Sequence, residues 1–166
     1  MVNHLVYFVK RLVCCHDGGM ARDDWETAVR LLQLATQLIE DIDSGTRDRG
    51  FDDVRPSHGF AFSRIAAGGA TVGDVASHLG VTKQAASQLV EHLVAAGYVA
   101  REPHPDDARA WLLTLTDRGD ACTKAAVSAA EDSVRAWRRK AGPGQVKALH
   151  DALAGLAEPG PLRPVW

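Results

Sequence analysis

The chain has 166 residues, 46% of them hydrophobic and 24% charged, with 15 Gly, 7 Pro and a formal net charge of −2. That profile excludes collagen-like, disordered and disulfide-rich classes and describes a globular protein of one domain, or two small lobes sharing a core. Three Cys, two of them adjacent (Cys14, Cys15) and one remote (Cys122), form neither a disulfide framework nor a metal clamp and point to a reducing cytoplasm.

The first fifteen residues raise a targeting question, because Leu5, Val6, Tyr7, Phe8, Val9, Leu12 and Val13 are apolar. Lys10 and Arg11 interrupt that run, which is too short to span a membrane and lacks a small-residue cleavage site. Residues 1–19 are expected to be a leader, either disordered or upstream of a native start at Met20, with Gly18 and Gly19 marking the break. From Asp24 to Asp48, Trp25, Val29, Leu32, Ala35, Leu38, Ile39 and Ile42 recur at helical steps, predicting one long amphipathic helix. Pro56 opens a second helix, which Phe60, Ala61, Arg64 and Ile65 carry to the stop at Gly68 and Gly69.

The middle of the chain holds the most informative grammar. Thr71-Val72-Gly73-Asp74 reads as a capping box, so a short helix should run to about His78, with Leu79-Gly80-Val81 as its turn. Thr82 caps the next helix. Along Lys83 to Ala96 the apolar set Ala85, Ala86, Leu89, Leu93 and Ala96 leaves Lys83, Gln84, Ser87, Gln88 and Glu91 outward, and Gly97 closes it. Two short helices joined by a tight Gly-containing turn form a helix-turn-helix of the DNA-binding kind.

Beyond Gly97 the periodicity becomes extended. Tyr98 to Arg101 and Trp111 to Leu115 are β-prone runs flanking Glu102 to Ala110, a loop too rich in Pro and Asp to be helical, so they predict a hairpin with a long tip. A hairpin in that place is a wing, able to approach the DNA backbone or minor groove. Thr116-Asp117 starts a long helix to about Arg139, whose face is Cys122, Ala125, Ala126, Ala129, Ala130, Ser133, Val134 and Trp137. Another helix covers Gln145 to Ala157, and the tail 159–166 cannot continue it. The apolar faces of the terminal helices exceed what the small middle lobe can cover, so they meet one another within a subunit or, more naturally, across a dimer. The fold class is thus mainly α, within α+β. A winged helix-turn-helix core at 56–119 lies inside a domain spanning 20–158, and helices 24–48 and 117–157 act as a dimerisation arm.

Charge does little of the work. Basic against acidic side chains number 7 to 10 in residues 1–57, 5 to 6 in 58–118 and 7 to 5 in 119–166, so no block is strongly basic. Any contact with DNA rests on a few placed cations and on local geometry.

The stretch TVGDVASHLGVTKQAASQLVEHLVAAGYVAREPHPDDARAWLLTLTDRG resembles the winged-helix core of the MarR family of bacterial transcription regulators. The likeness lies in its helix, turn, recognition helix, GYV-x-R strand, D-x-R wing and LT-x-x-G exit. It implies a homodimer that binds a pseudo-palindromic operator, acts as a repressor and is released by a small-molecule or oxidant signal. The departures are the leader, a low positive charge, and a wing reading Asp106-Asp107-Ala108-Arg109 where D-x-R-R is frequent.

The chemistry of individual side chains assigns the roles. Gln84, Ser87 and Gln88 carry the amide and hydroxyl groups that read base edges, an amide being able to bond adenine bidentately; the alternative is a plain solvated face. Thr82 is first a cap and second a phosphate contact through the helix N-terminus. Lys83 is a phosphate contact, or a solvated lysine. By resemblance Arg109 at the wing tip contacts phosphate or the minor groove, and Asp107 orients Arg109 or Arg101 rather than facing phosphate itself. The resemblance also implies an effector crevice lined by residues 25–42, 56–67 and the start of 117–139. Trp25, His58 and Phe62 are candidates there, each equally readable as core.

Other classes fare worse. His58, His78, His92, His104 and His150 lack the spacing of a zinc site, so no metal or cofactor is expected. Cys122 reads as a buried filler, since a sensing thiol needs a lowered pKa. An enzyme, such as a thiol- or His-dependent hydrolase, would need a nucleophile elbow, a phosphate loop or paired carboxylates that the sequence does not offer. A winged helix that binds protein instead of DNA is the remaining alternative.

Overall fold

Each short helix in the middle of the chain is opened by its own side chains, and this local closure sets the positions of everything that follows. The structure, a computed structural model, describes residues 22–105, 110–157 and 160. Its elements in order are α1 (Arg22–Arg47), α2 (Pro56–Ala66), α3 (Val72–Leu79), α4 (Lys83–Ala95), β1 (Val99–Pro103), β2 (Trp111–Leu115), α5 (Asp117–Ala141) and α6 (Pro143–Leu156). The leader and most of the tail lie outside the described residues, as do Asp107 and Arg109 in the wing tip. Among the described residues no helix is long and apolar enough to cross a membrane.

Two compact units part after Glu40. The first holds most of α1, whose Leu31 and Leu32 are nearly half exposed, as is Ile39 to a lesser degree. The second begins with the last turns of α1. There Gly45 lets the backbone approach α5 closely, since a β-carbon added to it would lie 2.7 Å from that of Ala129. Arg49, just after α1, donates to the Gly45 carbonyl and to Asp132 on α5 at 2.5 Å, which holds the two helices at that approach.

The capping box forms as expected. The Asp74 N–H donates to Thr71 Oγ1 at 3.2 Å, and the Thr71 N–H donates back to Asp74 Oδ2 at 2.8 Å. Two orphan donors at the start of α3 are thereby satisfied, an arrangement whose loss typically costs about 1 kcal/mol. Gly80 then turns the chain in the left-handed region, φ +65°, which an L side chain resists. α3 packs on both α2 and α4. Ala61 and Ile65 from α2, Val75 and Leu79 from α3, Val90 and Leu93 from α4, Leu113 from β2 and Cys122 from α5 close the core.

The inward face of α4 differs from the sequence expectation. Ala85 is exposed, while Ala86, Val90 and Leu93 are fully buried and Leu89 partly so. Ala is small enough to sit on either side of the boundary, and packing against α3 selects the larger Val90 for the core.

β1 and β2 form the expected antiparallel hairpin, with Val99 opposite Leu115 and Arg101 opposite Leu113. Ala70 adds a third, one-residue bridge. Its N–H donates to the Leu113 carbonyl at 3.2 Å, and its carbonyl accepts in return from the Leu113 N–H at 2.8 Å, so the wing is stitched to the start of the helix-turn-helix.

Candidate nucleic-acid interface

α4 is held from behind and offers polar groups in front. Thr82, extended at φ −66° and ψ 151°, accepts the Ala85 N–H on its Oγ1 at 3.2 Å and so starts the helix. The cap uses an acceptor lone pair and leaves the hydroxyl proton available to a phosphate. Lys83, Gln84 and Gln88 are exposed and Ser87 is half-buried. Gln84 and Gln88 are one turn apart, so both amides project from the same face. No carboxylate lies in the first turn of α4, which keeps its N-terminus hospitable to an anion. The structure thus brings Thr82, Lys83, Gln84, Ser87 and Gln88 together on one element.

The wing supplies less. Arg101 is exposed on β1, but Arg109 and Asp107 fall outside the described residues, and with them the proposed pairing of Asp107 with either arginine. Thr114 donates to Glu102 at 3.2 Å across the hairpin, and Trp111 at the start of β2 is exposed. Of the three effector candidates, Phe62 lies deep in the core with its ring 5.6 Å from that of Tyr98. His58 is also buried, and Trp25 stands on α1 in the first unit.

Residues 53–110, which span this helix-turn-helix and the first strand of the hairpin, match the family model MarR_2, described as MarR family. The likeness of this segment is to the MarR family. Solved structures agree on the fold. A transcriptional regulator from Thermotoga maritima is 24% identical with a TM-score of 0.65, covering 81% of this chain and 92% of its own. A mutant of MepR from S. aureus, bound to an oligodeoxyribonucleotide, is 20% identical with a TM-score of 0.61, covering 79% of this chain and 98% of its own. A MarR family protein of Mycobacterium tuberculosis, in complex with salicylic acid, is 20% identical with a TM-score of 0.61, covering 85% and 98%. No curated protein matches the chain.

Sequence reasoning missed the polar knot that ties this segment to the long helix α5. Tyr98 is 1% exposed, and its hydroxyl donates to Asp53 Oδ1 at 2.5 Å while accepting from Arg118 Nη2 at 3.0 Å. Arg118 also reaches Asp53 Oδ2 at 3.4 Å, with its guanidinium carbon 4.5 Å from the Tyr98 ring centre. The Tyr98 hydrogen bond, above all, lowers the Asp53 carboxyl, and burial raises the Tyr98 phenol. One phenol thereby joins the loop before α2, the root of the wing and the first turn of α5. The partners lie 45 and 20 residues from Tyr98, so no local spacing announces them.

Tyr98→Phe is expected to cost about 1.5 kcal/mol in urea unfolding, the low end for a bond to a charged group, because Asp53 and Arg118 are part exposed and can turn to water. Asp53 stabilises the fold above the ordinary carboxylate value of about 3.9 and ceases to as pH falls through its lowered folded value, so the variant should also flatten the acid limb of the stability profile.

Cys122 sits under the same knot. It is buried, and desolvation pushes its thiol up to about 11, which leaves almost no thiolate at neutral pH.

Proposed function

We propose that the chain is a sequence-specific, DNA-binding transcriptional regulator of the cytoplasm, a repressor that acts as a homodimer on a pseudo-palindromic operator and is released by a small-molecule effector. The observation that carries this reading is α4. Its Gln84, Gln88 and Lys83 face outward on a helix locked from behind by Ala86, Val90 and Leu93, in a segment that matches the MarR family model. A helix so presented fits the major groove, where amides discriminate bases and lysine meets phosphate. Arg109 and, oriented with it, Arg101 and Asp107 would serve the wing, which contacts backbone or minor groove without reading sequence. The relative solved with an oligodeoxyribonucleotide supports the DNA reading, and the one solved with salicylic acid supports a small-molecule signal. The high thiol value of Cys122 weighs against oxidation of that residue as the trigger.

The deciding experiment is a titration of the protein against the DNA upstream of its own coding sequence and against a scrambled duplex, at several salt concentrations. Tighter binding to the cognate duplex by about a thousandfold or more supports the reading, since specific sites exceed random DNA by that margin. Equal or absent binding to both removes it and leaves a winged helix that serves a protein partner.

The homodimer rests on uncovered apolar surface. Leu31, Leu32 and Ile39 on α1, Val127 on α5, and Leu153 and Leu156 on α6 are all exposed in the single chain, and a symmetric pair would bury them against their own copies. Sedimentation equilibrium at micromolar concentration is expected to return twice the chain mass. A stable monomer there would sink the dimer and with it the two-fold operator.

A further inference from the structure

Two imidazoles meet between the first turn of α2 and the last turn of α4, where His92 is exposed. His58, the third residue of α2, is 8% exposed and stands 5.3 Å, ring centre to ring centre, from His92 in the last turn of α4. The Arg55 backbone N–H donates to His58 Nδ1 at 3.2 Å. An accepting Nδ1 carries no proton, so His58 is held as the neutral tautomer with its proton on Nε2. Protonation would put a second N–H against that of Arg55, break this contact at the start of α2, and leave a buried cation facing a second imidazole. The other charges around it are Arg55, which adds to the repulsion, and Asp53, whose carboxylate is engaged by Tyr98 and by Arg118 of α5.

We propose that the His58 and His92 pair is a proton-sensitive clasp between α2 and the recognition helix, closed while His58 is neutral and opened by acid. Burial first, then His92, lowers the His58 ionisation from its ordinary value. The unfolded chain therefore takes up the proton before the folded one does. Stability from this site is unaffected well above the ordinary histidine value of about 6.5 and is lost progressively as pH falls below it. The clasp stands on the fold alone; its consequence for operator affinity rests on the DNA-binding reading.

The test is nitrogen-15 NMR of the histidine rings, combined with amide exchange at Arg55 corrected for intrinsic rates, between pH 7.5 and 5. The expected result is a proton on Nε2 of His58 at pH 7.5, ionisation below the ordinary value, and Arg55 protection that falls by up to about tenfold per pH unit, the limit for one proton. His92→Gln should raise the His58 ionisation. His58→Asn, whose carboxamide oxygen accepts without titrating, should remove the pH dependence at Arg55. Ordinary ionisation of His58, or Arg55 protection that does not change over this range, overturns the clasp even if the Asn variant fails to fold. None of these readouts involves DNA, so a protein that opens with acid but binds no operator would refute the regulator and keep the clasp.

Discussion

Gly119→Ala is expected to destabilise the protein by about 3 kcal/mol or more, beyond the usual range for overpacking. A β-carbon at this position would lie 2.3 Å from the Tyr98 carbonyl oxygen, a backbone atom that no rotamer change can move aside. That same carbonyl accepts the Thr116 N–H at 3.1 Å, and Thr116 caps α5 through the Gly119 N–H at 3.2 Å while its hydroxyl donates to the Gly97 carbonyl at 2.6 Å. Forcing α5 away therefore breaks the cap and the exit from the wing together, and loosens the Tyr98 knot beside them. Gly59→Ala is the matched control, because nothing lies within 4 Å of the new carbon in α2 and the substitution should be stabilising by about 0.5–1 kcal/mol. Urea unfolding of both variants measures the contrast. A Gly119→Ala protein within about 0.5 kcal/mol of the parent, the ordinary scatter of surface changes, would show that the close approach of α5 to Tyr98 is not maintained in solution.

Replacing Gln84 and Gln88 together by alanine is expected to weaken binding to the cognate operator by about 1–3 kcal/mol for each bidentate amide–base interaction removed, in each half-site. Binding to scrambled DNA should barely change, since in the proposed role the deleted groups read base identity. Arg109→Ala should behave in the opposite way. It should weaken cognate and scrambled duplexes alike and lower the slope of log affinity against log salt by about one unit per phosphate contact. The two variants must differ in kind as well as in size. Gln84 and Gln88 are exposed, so unfolding is not expected to confuse the reading of the glutamine variant. A double glutamine variant that retains full discrimination would show that α4 does not enter the major groove.

Much of the architecture is legible in the sequence because the interactions that set it are short-range along the chain. The Thr71 and Asp74 box spans three residues, Gly80 answers a need for positive φ at one position, and Thr82 caps the helix it precedes. Each such feature tests a local spacing against a local geometry, so α3, α4 and the hairpin lie within one or two residues of expectation. The outward set of α4 is equally readable, since its polar residues recur on one helical face.

Packing over long separations decided the rest. Which of Ala85 and Val90 turns inward depends on what α3 presents, because alanine is tolerated on either side of a helix and only a neighbouring surface breaks the tie. Asp53, Tyr98 and Arg118 are unremarkable in isolation, an acid in a loop, an aromatic before a strand and a cation on a helix. The close approach of α5 to Tyr98 at Gly119 accompanies the contact of Arg118 with the phenol, and the loop before α2 supplies Asp53. His58 changed meaning for the same reason. On the sequence it read equally as an effector contact or as core, and in the fold it is a buried acceptor for Arg55 facing His92. A side chain's chemistry is written in the sequence, but its solvent exposure and its partners are properties of the packed chain, and those two quantities set its protonation and its role.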